Sequence, residues 1–158
     1  TTKNKREFLY GLIEARVKLP ESKGLWPAFW MLGSDIDYHP WPDCGEIDIM
    51  EYVGRNPGEV FITIHSRSSH GNLINTKTIS DPGIENGFYV FKADWTKDYI
   101  SIYLDDKKLY TYRPNVKNND TWPLNRSFYF ILNVAIGGVF GGPVGQQTKF
   151  PQNYLLTI

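Results

Sequence analysis

The chain has almost no cysteine: Cys44 is alone among 158 residues. No internal disulfide can form, so the redox compartment is not readable from it. There is no Cys/His ligand spacing either, so Cys44 reads as a small packing residue and no metal site is expected. Net charge is also missing, because 17 Lys and Arg balance 17 Asp and Glu. That leaves no field to hold nucleic acid or an anionic membrane surface. No run approaches the roughly 18 apolar residues of a membrane span. No segment keeps a helical period over about 11 residues, and no internal repeat is visible. The opening "TTKNKREF" has no initiator Met, charged n-region or apolar h-region, so any signal peptide is expected to have been removed or never included.

What is present is aromatic residue, turn residue and alternation. Aromatics make up 15% of the chain, with five Trp and ten Tyr, enough for a core and for surface rings that stack on flat ligand faces. The 14 Gly and 10 Pro are scattered between apolar runs instead of being pooled in a linker, which suits one domain over residues 1–158. In "LIEARVKL" the apolar Ile13, Ala15, Val17 and Leu19 alternate with Glu14, Arg16 and Lys18, the period of a half-buried strand. "VFITIH" (Val60 to His65), "FYVFKADW" (Phe88 to Trp95) and "FYFILNVAI" (Phe128 to Ile136) are β-branched or aromatic runs bounded by turn residues. "YISIYLDDKKLYTYR" reads as a hairpin turning at Asp105-Asp106-Lys107-Lys108. Ser66 to Gly87 is the longest polar connection, of a kind that often lines a binding site. The predicted class is all-β, an antiparallel sandwich with many turns.

The unusual stretch is "CGEIDIMEYVG", with three carboxylates in six residues of an apolar run. In a regular strand Glu46, Asp48 and Met50 share one face and Glu51 points the other way. A β-bulge at Ile49-Met50 would bring Glu46, Asp48 and Glu51 to one side, with the apolar residues packed inward. Like charges at such spacing cost stability, most of all in a partly desolvated cleft, and a function is the simplest compensation. Two carboxyls about 5–5.5 Å apart suit a retaining glycosidase, and about 6.5–9.5 Å suits inversion; the short spacing favours the close pair. Neighbouring charge would keep one Glu protonated as the general acid, with Asp48 orienting the other. The alternatives are a solvated acidic strand face and a cation site built from three carboxylates.

"GLWPAFWMLG", "WPDCGEIDIMEYVG" and "FILNVAIGG" together resemble glycoside hydrolase family 16, in particular its laminarinase-like endo-β-1,3-glucanases. E-I-D-I-M-E is similar to the bulged motif of laminarinases, agarases and carrageenases, whereas lichenases and xyloglucan-modifying members carry E-x-D-x-E. The resemblance implies a jelly-roll β-sandwich of two curved antiparallel sheets with a β-glucan across the concave face. It implies Glu46 as nucleophile, Asp48 as its assisting acid and Glu51 as general acid/base of a double displacement. It further implies a secreted hydrolase of β-1,3-glucosidic bonds, with mixed-linkage glucan or a galactan such as agarose as other substrates. A protein of another class on the same scaffold would be a non-catalytic β-glucan binder or an inactive fragment.

Around the acids, Trp26, Trp30 and Trp41 are candidate sugar platforms, with core packing as the alternative. Trp41, between two prolines in a loop, is the strongest of them; Trp30 suits core and cleft equally. His65 ends a strand expected beside the carboxylates, where the laminarinases resembled here carry a His. Asn133 and Phe140 complete the candidate substrate contacts, the former also suiting a buried amide that satisfies backbone. Asn119 and Asn125 open triplets of glycosylation type. Against the family pattern the chain looks shortened at both ends. From that, exposed strand edges open to pairing and the absence of the family's usual terminal calcium site are expected, and no cofactor is required.

Overall fold

A computed structural model describes residues 1–71 and 75–157. Among these, the strands are β1 (Gly11–Lys18), β2 (Leu25–Gly33), β3 (Glu46–Tyr52), β4 (Glu59–His65), β5 (Thr76–Ser80), β6 (Tyr89–Trp95), β7 (Ile100–Leu104), β8 (Lys107–Tyr112), β9 (Phe128–Ile136) and β10 (Leu155–Thr157), with one short helix, α1 (Gly138–Gly141). They form two five-stranded antiparallel sheets, ordered β5-β4-β3-β2-β9 and β10-β1-β6-β7-β8. This is the jelly-roll sandwich expected from the alternating runs.

Alternation explains the layering. Ile13, Ala15 and Val17 of β1 face inward, as do Phe91, Ala93 and Trp95 of β6 and Ile100 and Ile102 of β7. They meet Phe29 and Met31 of β2, Ile47, Ile49 and Met50 of β3, and Ile62 and Ile64 of β4 in one core. Each large apolar side chain so buried contributes about 1.5–3 kcal/mol, so the interlayer dominates stability and holds both sheets in register.

Four details differ from the sequence-based expectation. The hairpin turn is Asp105-Asp106 alone, because Asp105 takes φ 51° and Lys107 already pairs with Leu104. The polar connection after Ser66 contains a short edge strand, β5, whose Thr76, Thr78 and Ile79 are β-branched but whose exposure hides any apolar period. The chain also has one helical turn, α1, too short to show periodicity. Finally β2, flanked by β3 and β9, is buried on seven of its nine positions, so it never alternates. Along β9, the outermost strand of its sheet, the N-terminal segment supplies bonds: Thr2 N–H donates to Phe130 O at 3.0 Å, and Phe8 bridges Phe128.

Candidate active site

The carboxylate strand β3 is the middle strand of its sheet, so its side chains are addressed from both neighbours. Its register shifts: Asp48 pairs with Thr63 and Glu51 with Phe61, leaving Ile49 and Met50 together opposite Ile62. On the β2 side Trp30 pairs with Asp48 and Phe29 with Met50, so Ile49 is the unpaired residue there. The bulge therefore lies at Ile49-Met50 as the spacing predicts, and the residue left unpaired against β2 is Ile49. Ile47, Ile49 and Met50 are all fully buried in the core. Glu46, Asp48 and Glu51 consequently share the opposite, outward face.

The strand register sets these acids in a grid. Asp48 lies between Trp30 and Thr63, Glu46 between Leu32 and His65, and Glu51 between Ala28 and Phe61. Ala28 in turn pairs with Asn133 of β9. Trp26, Ala28, Trp30, Asn133 and Ala135 line one side of a depression around the three acids. Phe61, Thr63, His65, Thr76 and Phe140 line its continuation over β4 and β5. Ala28, Phe61, Thr63 and Thr76 carry no sequence signal of their own; only pairing to β3 reveals them. The small side chain of Ala28 leaves the space beside Glu51 open.

Each acid faces a specific neighbour. The Trp26 indole N–H donates to Glu51 Oε1 at 2.9 Å. His65 Nε2 lies 3.3 Å from Asp48 Oδ2 and 3.7 Å from Glu46 Oε1. The Trp41 ring lies 5.7 Å from that of His65, which brings it to the Glu46 carboxyl beside Asp48. Trp30 donates to Asn133 Oδ1 at 2.7 Å, which turns the Asn133 NH2 group away as a spare donor. Phe140, delivered by α1, packs its ring edge-on against Trp26 at 5.1 Å and Phe61 at 5.2 Å. All nine residues singled out in the sequence thus converge on one face, the acids at its centre and the aromatics around them.

Trp41 is the most open of the three tryptophans, 42% exposed, while Trp26 and Trp30 are half-buried. Its loop is anchored at the base, where Gly33 N–H donates to Gly45 O at 3.1 Å and a Cβ on Gly33 would strike the Cys44 carbonyl. Arg67 pairs with Asp43 of the loop and with Asp120 at 3.5 Å. Arg126 holds Asp35 at 2.8 Å. Cys44 itself is fully buried, and burial pushes its thiol up to about 11, so it packs and does not react.

Burial shifts the acids strongly. Desolvation, then the charge of Asp48, raises Glu46 to about 8, with His65 and the Trp41 hydrogen bond opposing. Desolvation raises Glu51 to about 7, opposed by the Trp26 hydrogen bond and reinforced by the charge of Glu46. Asp48 is raised well above the usual carboxylate range by burial and the charge of Glu51. Protons are therefore held at this face near neutral pH, the condition for general acid chemistry.

Three carboxylates thus lie together on the outward face of one sheet of a β-sandwich, flanked by tryptophans. The profile of Glycosyl hydrolases family 16 matches residues 1–150, and the chain belongs to that family. A β-glucanase of Rhodothermus marinus is 38% identical over 162 aligned positions, covering 95% of this chain and 56% of the relative. The chain thus spans little more than half that relative's length. Among solved structures, the laminarinase of Flavobacterium sp. UMI-01 is 52% identical with TM-score 0.95, covering 98% of this chain and 67% of that one. The laminarinase catalytic domain of Thermotoga maritima is 35% identical with TM-score 0.91, covering 98% and 64%.

Proposed function

We propose that this protein is a retaining endo-β-1,3-glucanase acting on β-glucans such as laminarin, with Glu46 as nucleophile, Asp48 as its proton partner and Glu51 as general acid/base. The observation that carries the reading is the bulge at Ile49-Met50, which turns Glu51 onto the face of Glu46 and Asp48. The laminarinase relatives support β-1,3-glucan as the substrate.

In the first step the Glu51 proton passes to the glycosidic oxygen while the Glu46 carboxylate bonds to the anomeric carbon and the leaving chain departs. In the second, Glu51 takes a proton from water, whose oxygen displaces Glu46 and restores both groups. This chemistry needs no cofactor. Glu46 sits higher than Glu51, about 8 against about 7, the reverse of what a nucleophile and an acid require. The proton behind the Glu46 rise is shared within a pair, however. Placed on Asp48, which is wholly buried, it leaves Glu46 ionised, with His65 and Trp41 stabilising the charge.

The open Trp41 face would stack on a pyranose ring, Trp26 and Phe140 would border the next, and the Asn133 amide would donate to a sugar hydroxyl. A polysaccharide too large to enter a cell places the work outside it, so secretion belongs to this reading; no described helix is long and apolar enough to cross a membrane.

The test is proton NMR of laminarin during digestion. A β-anomer formed first, before mutarotation, is expected; an α-anomer first, or no reducing ends, would sink the proposal. Parallel digests of lichenan and agarose distinguish mixed-linkage glucanase and galactan hydrolase from it.

A further inference from the structure

The imidazole of His65 and the carboxyls of Glu46 and Asp48 come from neighbouring strands, at a register pair and its diagonal. Their ligand atoms all lie within 4.8 Å of one another. Bonds of about 2.0–2.2 Å to a tetrahedral zinc ion set ligand atoms about 3.3–3.6 Å apart. The His65–Asp48 separation, 3.3 Å, already has that span, and the His65–Glu46 separation, 3.7 Å, is slightly wider. A second observation points to a ligand: Asp48 Oδ2, on a side chain 3% exposed, has no hydrogen-bond partner among the described residues and is aimed at His65 Nε2. A buried carboxyl oxygen without a partner is costly, and a cation that displaces the Asp48 proton would complete it.

We propose that Glu46, Asp48 and His65 form an inhibitory site for a small divalent transition cation, zinc in the first instance. With the Asp48 proton released to water, two carboxylates neutralise the 2+ charge, and one imidazole beside two oxygens suits zinc or its neighbours in the first row. Calcium needs six to eight oxygens, and magnesium a near-octahedral, largely hydrated shell, neither of which this partly buried trio supplies. A bound ion would occupy Glu46 and exclude the sugar ring, so zinc and substrate compete. The inhibitory half of this inference rests on the nucleophile role given to Glu46 above; the binding half does not. The sequence shows no metal spacing because the ligands lie 17 to 19 residues apart on two strands, at positions 46, 48 and 65.

Calorimetric titration of chelator-treated protein with zinc chloride, without glucan, tests the binding half. One saturable site per chain is expected, with none for magnesium or calcium. His65→Gln should weaken it at least about tenfold, Glu46→Gln likewise, and His39→Gln should leave it unchanged; far-UV and near-UV circular dichroism verify that each variant is folded. No saturable zinc site, or equal affinity in His65→Gln, overturns the proposal. In the laminarin assay, zinc should raise the apparent KM at unchanged kcat, and stoichiometric binding without inhibition also overturns it. If the protein hydrolyses nothing, the function proposed above fails, and the calorimetry alone decides the cation site.

Discussion

The two sheets present outward faces built by the same alternation, and they treat acidic residues in opposite ways. On the β1-β6-β7 sheet, Glu14 pairs across the strands with Lys92, its side chain 57% exposed and the ion pair 4.0 Å long. On the β3 sheet, Glu46 and Asp48 are 18% and 3% exposed and share a single imidazole. Water and a lysine carry the charge of Glu14. Aromatic walls and a buried sheet centre deny that to Glu46, Asp48 and Glu51, and their proton affinities rise. The same residue type is a solvated surface in one place and chemistry in the other, and the difference is the neighbourhood.

The largest break in that contrast comes from the charges themselves. Glu46→Gln and Glu51→Gln should each lower kcat on laminarin by about a hundredfold to ten-thousandfold in folded protein. Glu14→Gln should leave it unchanged and alter stability by less than about 1 kcal/mol, both measurable by initial rates and urea unfolding.

The bulge can be broken next. An alanine inserted between Met50 and Glu51 restores plain alternation with Met50 turned out of the core, at about 2–5 kcal/mol, and carries Glu51 along the strand away from its place between Ala28 and Phe61. Deleting Met50 instead restores plain alternation, with Glu51 still on the cleft face and only a packing loss of about 2–5 kcal/mol. Laminarin hydrolysis that survives the insertion at full rate but is abolished in the folded deletion variant would refute this account of the strand.

Per pH unit, the smallest effect is the pH dependence of stability. The proton shared by the Glu46–Asp48 pair and the proton of Glu51 are held in the folded protein above the unfolded value near 4.5, up to about 8 and about 7. The unfolded chain therefore loses these protons first as pH rises, so the added stability is complete below pH 4.5 and fades up to about 8. Within that window each such carboxyl tilts stability by about 1.4 kcal/mol per pH unit. Glu51→Gln should flatten the fall in melting temperature between pH 5 and 7, whereas Glu14→Gln should not.

Strands whose two faces meet different surroundings were readable in the sequence. Ile13, Ala15 and Val17 announce β1, and the β9 run from Phe128 to Ile136 has the bounds the structure gives it. β2 escaped because a strand covered on both faces loses its period, and β5 because an exposed edge strand has no apolar side to display. The site was readable where chemistry crowds one stretch, in Glu46, Asp48 and Glu51, and where a tryptophan stands in a proline-flanked loop.

The sequence by itself determined that three acids lie on a strand with one residue too many, and so that a bulge could align them. Only the tertiary structure decided what surrounds them: Ala28 opening space at Glu51, Trp26 donating to it, His65 set against Asp48, and Asn133 turned by Trp30. Those neighbours lie tens of residues away in the chain and are chosen by strand order and register, which the packing of both sheets on a shared core fixes and local sequence does not.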